Sequence, residues 1–124
     1  MTISRVVLEL ARDHDFPNGS RDHGYRFTAP LTDDGKIDPE AWKTHRDQCR
    51  VVRFWGDEEE EVGHVIRKPG GSWAFHYDIH GDEDSDETGY RFALHTFKPG
   101  EYISIKEHDD QMRTFKVVAV SALS

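Results

Sequence analysis

The sharpest short pattern in the chain is His76-Tyr77-Asp78-Ile79-His80. Side chains alternate between the faces of a strand, so His76, Asp78 and His80 share one face, while Tyr77 and Ile79 join Trp73 and Phe75 on the other. Two imidazoles and a carboxylate are donors suited to a divalent metal such as zinc. Residues four apart on a regular strand are about 13 Å apart, so His76 and His80 share an ion only if the strand bends or a facing strand supplies a donor. A register that sets Asp78 opposite Ala93 places His76 against His95. A register shifted by two sets Asp78 against Arg91 as an ordinary cross-strand ion pair. The metal candidates are therefore His76, Asp78, His80 and His95, and a solvated polar strand face accounts for the same pattern.

Two acidic runs come next. Asp82-Glu83-Asp84-Ser85-Asp86-Glu87 alternates carboxylates as a calcium loop does, but Glu87 stands where that loop needs glycine and Ala93 where it needs glutamate. The EF-hand template fails. Weak cation binding and a solvated loop that blocks edge pairing both remain open readings. Asp57-Glu58-Glu59-Glu60-Glu61 reads as a solvated tip or as a contact for a basic partner. The one cofactor such sets could hold is a divalent metal.

Other residues carry less chemistry. Cys49 lies four residues after His45, and a thiol beside a base can be nucleophilic when its pKa is lowered. No third, orienting residue is evident, and Cys49 continues the packing face of a helix. His64, between Val62 and Ile66, reads as a satisfied strand histidine. Arg46, Arg50, Arg53 and Trp55 form the one basic and aromatic grouping, with Arg53 and Trp55 on one strand face where they can stack. The chain has no Gly-rich phosphate loop, nucleophile elbow, CxxC or HExxH.

The elements that position these residues follow from period-two alternation. It predicts eight strands, over 4–10, 25–31, 51–55, 62–67, 73–79, 90–97, 102–106 and 112–120. One helix is expected over 39–48, capped by Asp38, with Pro39 at its first position and a hydrophobic staple between Ile37 and Trp42. The predicted core is Val6, Leu8, Tyr25, Phe27, Phe54, Trp73, Phe75, Tyr77, Tyr90, Phe92, Leu94, Ile103, Ile105, Phe115 and Val117. Turn signals between the strands point to a mainly β fold, a small antiparallel barrel or roll of about eight strands with one short helix.

That topology gives the acidic residues a meaning. The stretches 13–23, 57–61, 82–87 and 107–110 hold sixteen of the twenty-four Asp and Glu residues and one Lys or Arg, Arg21. In an up-and-down array these connections leave from the same end, provided the helical connection keeps the alternation of strand direction. The result is a strongly negative pole, expected to be held apart by solvent with few ion pairs. Asp57, Glu58, Glu59, Glu60, Glu61, Asp82, Glu83, Asp84, Asp86 and Glu87 are the candidate contact residues.

Bulk composition bounds the rest. At 124 residues one domain spanning 1–124 is expected. Leu, Ile, Val and Phe make up 27 residues, a small core that fourteen aromatics enlarge. The net charge of −8 argues against general nucleic-acid binding, which needs a basic surface. One cysteine cannot form an internal disulfide, and no signal peptide or membrane span is evident, so a cytoplasmic location is expected.

The stretches GYRFTAPL (24–31), DPEAWKTHRDQCRVVRFW (38–55) and FKPGEYISIKEHDDQMRTFKVV (97–118) resemble those of an uncharacterised family of small bacterial proteins of unknown function. The resemblance implies no activity and no site. Two functional classes stand: a binding module whose acidic pole meets a basic protein or a divalent cation, and a metal-dependent enzyme using the His/Asp strand face. The balance leans away from an enzyme.

Overall fold

A computed structural model describes residues 2–77, 87–89, 96–107 and 111–123, with the backbone alone at 87–89. The fold is mainly β. Among the described residues, eight antiparallel strands, β1 (Thr2–Leu10), β2 (Ser20–Leu31), β3 (Arg50–Trp55), β4 (Glu61–Arg67), β5 (Trp73–Tyr77), β6 (Glu87–Gly89), β7 (Tyr102–Lys106) and β8 (Met112–Ala122), follow one another around a barrel. Each pairs with the next, and β1 pairs with β8 to close the order. Closure removes the exposed strand edges that would otherwise template aggregation.

Alternation decides what lies inside. Val6, Leu8, Tyr25, Phe27, Trp73, Phe75, Tyr77, Ile103, Ile105, Phe115 and Val117 are buried as expected. Tyr90, Phe92 and Leu94 lie outside the described residues. Tyr25, Phe27, Phe75, Phe97 and Phe115 stack through one another with centroids 5.0–5.6 Å apart, so aromatic rings fill the barrel. Phe54 is a correction. It is half-buried on the outer face, with the Arg26 guanidinium 5.0 Å from its ring centroid. Val51 and Arg53 take the inward positions of β3.

The helix is shorter than expected. α1 spans Pro39–Thr44, and a separate 3-10 turn spans Arg46–Gln48. The Asp38 cap is present, its carboxylate accepting from the N–H groups of Glu40 and Ala41. Ile37 and Trp42, the staple pair, are both buried. Trp42 donates its indole N–H to the Val65 carbonyl at 2.9 Å and meets Trp73 edge-on at 5.3 Å. The helix thereby closes one end of the barrel. Gly63 shows how closely β4 and β5 approach: a Cβ there would collide with the His76 carbonyl oxygen.

The β2–β3 connection keeps the alternation, because β2 and β3 pair antiparallel. Leu10, Trp55, Tyr77 and Lys106, the last residues of β1, β3, β5 and β7, therefore lie at the end opposite the helix.

Candidate functional site at the acidic end of the barrel

Three charged side chains face into the barrel at this end. Arg53 and Arg113 are each 8% exposed and Glu107 is 3% exposed. Isolated charges cannot be taken out of water cheaply, so such groups must find partners. Arg53 Nη2 donates to Glu107 Oε1 at 3.0 Å, and Arg53 Nη1 lies 3.6 Å from Glu61 Oε2. The Tyr25 hydroxyl donates to the other Glu107 oxygen. Arg113 Nη1 lies 3.0 Å from Asp13 Oδ1, and Arg113 Nη2 donates to Asp15 Oδ2 at 3.0 Å.

The two guanidiniums flank one indole. Their carbons lie 4.2 Å (Arg53) and 5.5 Å (Arg113) from the Trp55 ring centroid. Cation–π attraction strengthens when the cation is desolvated, as both are here. His23 meets Trp55 edge-on at 4.6 Å and Phe16 at 4.5 Å, so these rings roof the charged layer.

The titration of this layer follows from its surroundings. Burial alone would raise the Asp13 carboxyl, but the Asp15 backbone N–H and the Arg113 guanidinium outweigh it, and Asp13 titrates below the ordinary aspartate range. Burial and the nearby Arg53 and Arg113 charges push His23 down against the pull of Asp22 and Glu58. Arg113 is pushed up because Asp15 and Asp13 more than offset its burial.

The pole therefore departs from the expectation of few ion pairs. The loops contain one basic residue, but the strands send in Arg53 and Arg113. Those two residues hold carboxylates from three of the four acidic stretches. Glu61 opens β4 opposite Arg53 rather than belonging to the tip. Glu60 pairs with Arg26 at 3.1 Å on the surface. Asp57, Glu58 and Glu59 are exposed, with no ion pair among the described residues. Asp82, Glu83, Asp84 and Asp86 lie outside the described residues, and Glu87 is placed by its backbone alone, opposite Phe75.

Sequence reasoning placed Arg53 beside Trp55 but overlooked Arg113 and Glu107 as site residues. The signal was present. Arg53 alternates with Val51 and Trp55, Glu107 continues Ile103 and Ile105, and Arg113 continues Phe115 and Val117. A charged residue in phase with a core face announces a buried pair.

Of the metal candidates, His76 alone lies among the described residues. Asp78, His80 and His95 lie outside them. Both expected registers set Ala74 against a residue in the nineties, whereas Ala74 lies opposite Thr88. His76 instead lies opposite His64 on β4, and His64 Nε2 lies 3.0 Å from Arg50 Nη1. Among the described residues, Asp13, His14 and Asp15 bring three donors within 4.8 Å of one another. Arg113 already contacts both carboxylates, which leaves that group poorly suited to a second cation.

Cys49 is inert. Burial pushes its thiol up to about 11, and Sγ–H donates to the His45 carbonyl at 3.3 Å. The His45 ring is turned to the Ala41 carbonyl at 2.9 Å, so no Cys–His pair forms.

Comparison of the chain with protein-family models, curated proteins and solved structures finds no match. Among the described residues, no helix is long and apolar enough to cross a membrane.

Proposed function

We propose that the protein is a binding module that presents its acidic pole to a basic protein partner. One observation carries this reading. Arg53 and Arg113, reaching out from the barrel interior, hold Asp13, Asp15, Glu61 and Glu107 in place, while Asp57, Glu58 and Glu59 stay exposed beside them. Loops anchored beneath the exposed acids lose little conformational entropy on binding, which favours affinity. Uncompensated exposed carboxylates steer a basic partner and set its orientation. The filled, aromatic interior supports an external contact over an enclosed ligand. A metal-dependent enzyme gains no support here, because among the described residues His76 joins no group of three metal donors. A cytoplasmic setting suits a chain with one buried thiol.

The test is a calorimetric titration with an octa-lysine peptide. The triple variant Asp57→Asn, Glu58→Gln, Glu59→Gln is compared with Asp33→Asn, Asp34→Asn, Glu101→Gln, which removes the same charge from the helix end. The pole variant should bind at least about tenfold more weakly than wild type, a loss of about 1.4 kcal/mol. Equal losses in both variants would reduce the effect to net charge and defeat the proposal.

A further inference from the structure

A cleft of about 460 Å³ lies on the barrel wall beside the helix, lined by Trp42, Arg46, Asp47, His64, Val65, Ile66, Arg67 and His76. Its charge runs against that of the whole molecule. The chain carries −8, yet this cleft sets two guanidiniums against a single carboxylate, Asp47, with two imidazoles beside them.

The guanidiniums are held in place by stacking rather than by acids. Arg46 lies over the Trp42 ring with its carbon 4.7 Å from the centroid, and Arg67 over Trp73 at 5.7 Å. Neither has a carboxylate within 4.0 Å among the described residues, unlike Arg53 and Arg113 at the acidic end. Stacking occupies the faces of a guanidinium and leaves its N–H edge for a ligand. Arg50 supports the wall from the side, its Nη1 lying 3.0 Å from His64 Nε2. A guanidinium can only donate, so His64 Nε2 accepts and the imidazole carries its proton on Nδ1. His76, opposite His64 across β4 and β5, completes the polar wall. Val65 and Ile66 supply apolar lining.

We propose that this cleft binds a small oxyanion ligand, a phosphate or carboxylate group, through the N–H edges of Arg46 and Arg67. Such groups are matched by paired N–H donors in a plane, and the aromatic backing fixes those donors before the ligand arrives. The site is separate from the acidic pole and stands whether or not that pole binds a basic partner.

The experiment is a titration of the full chain with inorganic phosphate and, separately, with citrate, followed by calorimetry and by tryptophan fluorescence. Trp42 and Trp73 lie under the two arginines, so occupancy should change the emission. The double variant Arg46→Gln, Arg67→Gln is set against Arg5→Gln, Arg21→Gln, an equal charge change at two exposed residues outside the cleft. Saturable binding of either anion by wild type is expected. The cleft variant should weaken it at least about tenfold, with the control within about twofold of wild type. The stronger ligand identifies the phosphoryl or the carboxylate source. Absence of saturation with both anions, or equal weakening in the two double variants, overturns the proposal.

Discussion

Glu107 is held from two sides inside the barrel, by a guanidinium and a phenol. Removing its charge leaves Arg53 desolvated, with Glu61 3.6 Å away. Breaking one side of a buried pair typically costs on the order of 3–5 kcal/mol. Glu107→Gln keeps hydrogen-bonding capacity, so its cost in a denaturant melt should fall at or below the lower end of that range. The double variant Arg53→Met, Glu107→Leu should be less destabilised than the sum of its single changes, because it removes the uncompensated charge. Additive losses would show that the two side chains do not act as a pair.

The same layer predicts the response to acid. His23 and Asp13 both have folded-state pKa values below their ordinary ones. A depressed group stabilises the fold above its unfolded pKa, and that contribution fades as pH falls through its folded value. Stability should therefore decline in two stages on acidification. The first begins below about 6.5, the ordinary histidine value, and the second below about 3.9, the ordinary aspartate value. His23→Gln should abolish the first stage and leave the second. A melting series that is flat between pH 7 and 5 in wild type would contradict this assignment.

At the scale of elements, the helix cap and the tryptophan that closes the barrel are separable. Asp38→Ala removes two N–H contacts at the start of α1 and should cost about 1 kcal/mol. Trp42→Ala empties a buried site and loses the bond to Val65, so about 3–5 kcal/mol is expected. Chemical denaturation of the two variants checks both. An Asp38→Ala loss as large as that of Trp42→Ala would mean that the cap holds more than the helix.

Most of these elements were legible because their residues obey one simple period. Val6 and Leu8 or Ile103 and Ile105 alternate cleanly, and Asp38-Pro39-Glu40 marks a helix start without help from the rest of the chain. The helix end was not legible. His45 satisfies its backbone N–H through both Ala41 and Trp42, and the chain then tightens into a 3-10 turn, so the apolar face reaching Cys49 runs past the last α-helical residue. Phe54 was misplaced because residues 51–55 are apolar in both phases of the alternation, with Val52 and Phe54 on one face and Val51 and Trp55 on the other. The barrel gives the inward positions to Val51 and Arg53, and Arg26 covers Phe54 from outside. The charged layer was hidden for a related reason. Composition counts within loops show sixteen acids and one Arg, whereas the cations that meet them come from β2, β3 and β8.

For the whole molecule, charge is distributed unevenly, with an acidic pole at one end and a cationic cleft near the other. The internal pairs of Arg53 and Arg113 are buried and therefore poorly screened, while Asp57, Glu58 and Glu59 repel one another through water. Added salt should raise the melting temperature slightly by screening that repulsion. It should also slow association with a basic partner between roughly 0.01 and 0.15 M, where the Debye length shortens from about 30 to 8 Å. Stopped-flow association rates across that range check the second expectation, and salt-independent rates would remove electrostatic steering from the account.

The most direct test of the central claim is amide chemical-shift mapping of the labelled protein as octa-lysine is added. Shifts should concentrate at residues 12–23 and 56–61, with residues 32–40 at the helix end unchanged. Shifts centred on residues 32–40, or spread evenly over the barrel, would contradict the assignment of the acidic pole as the binding surface.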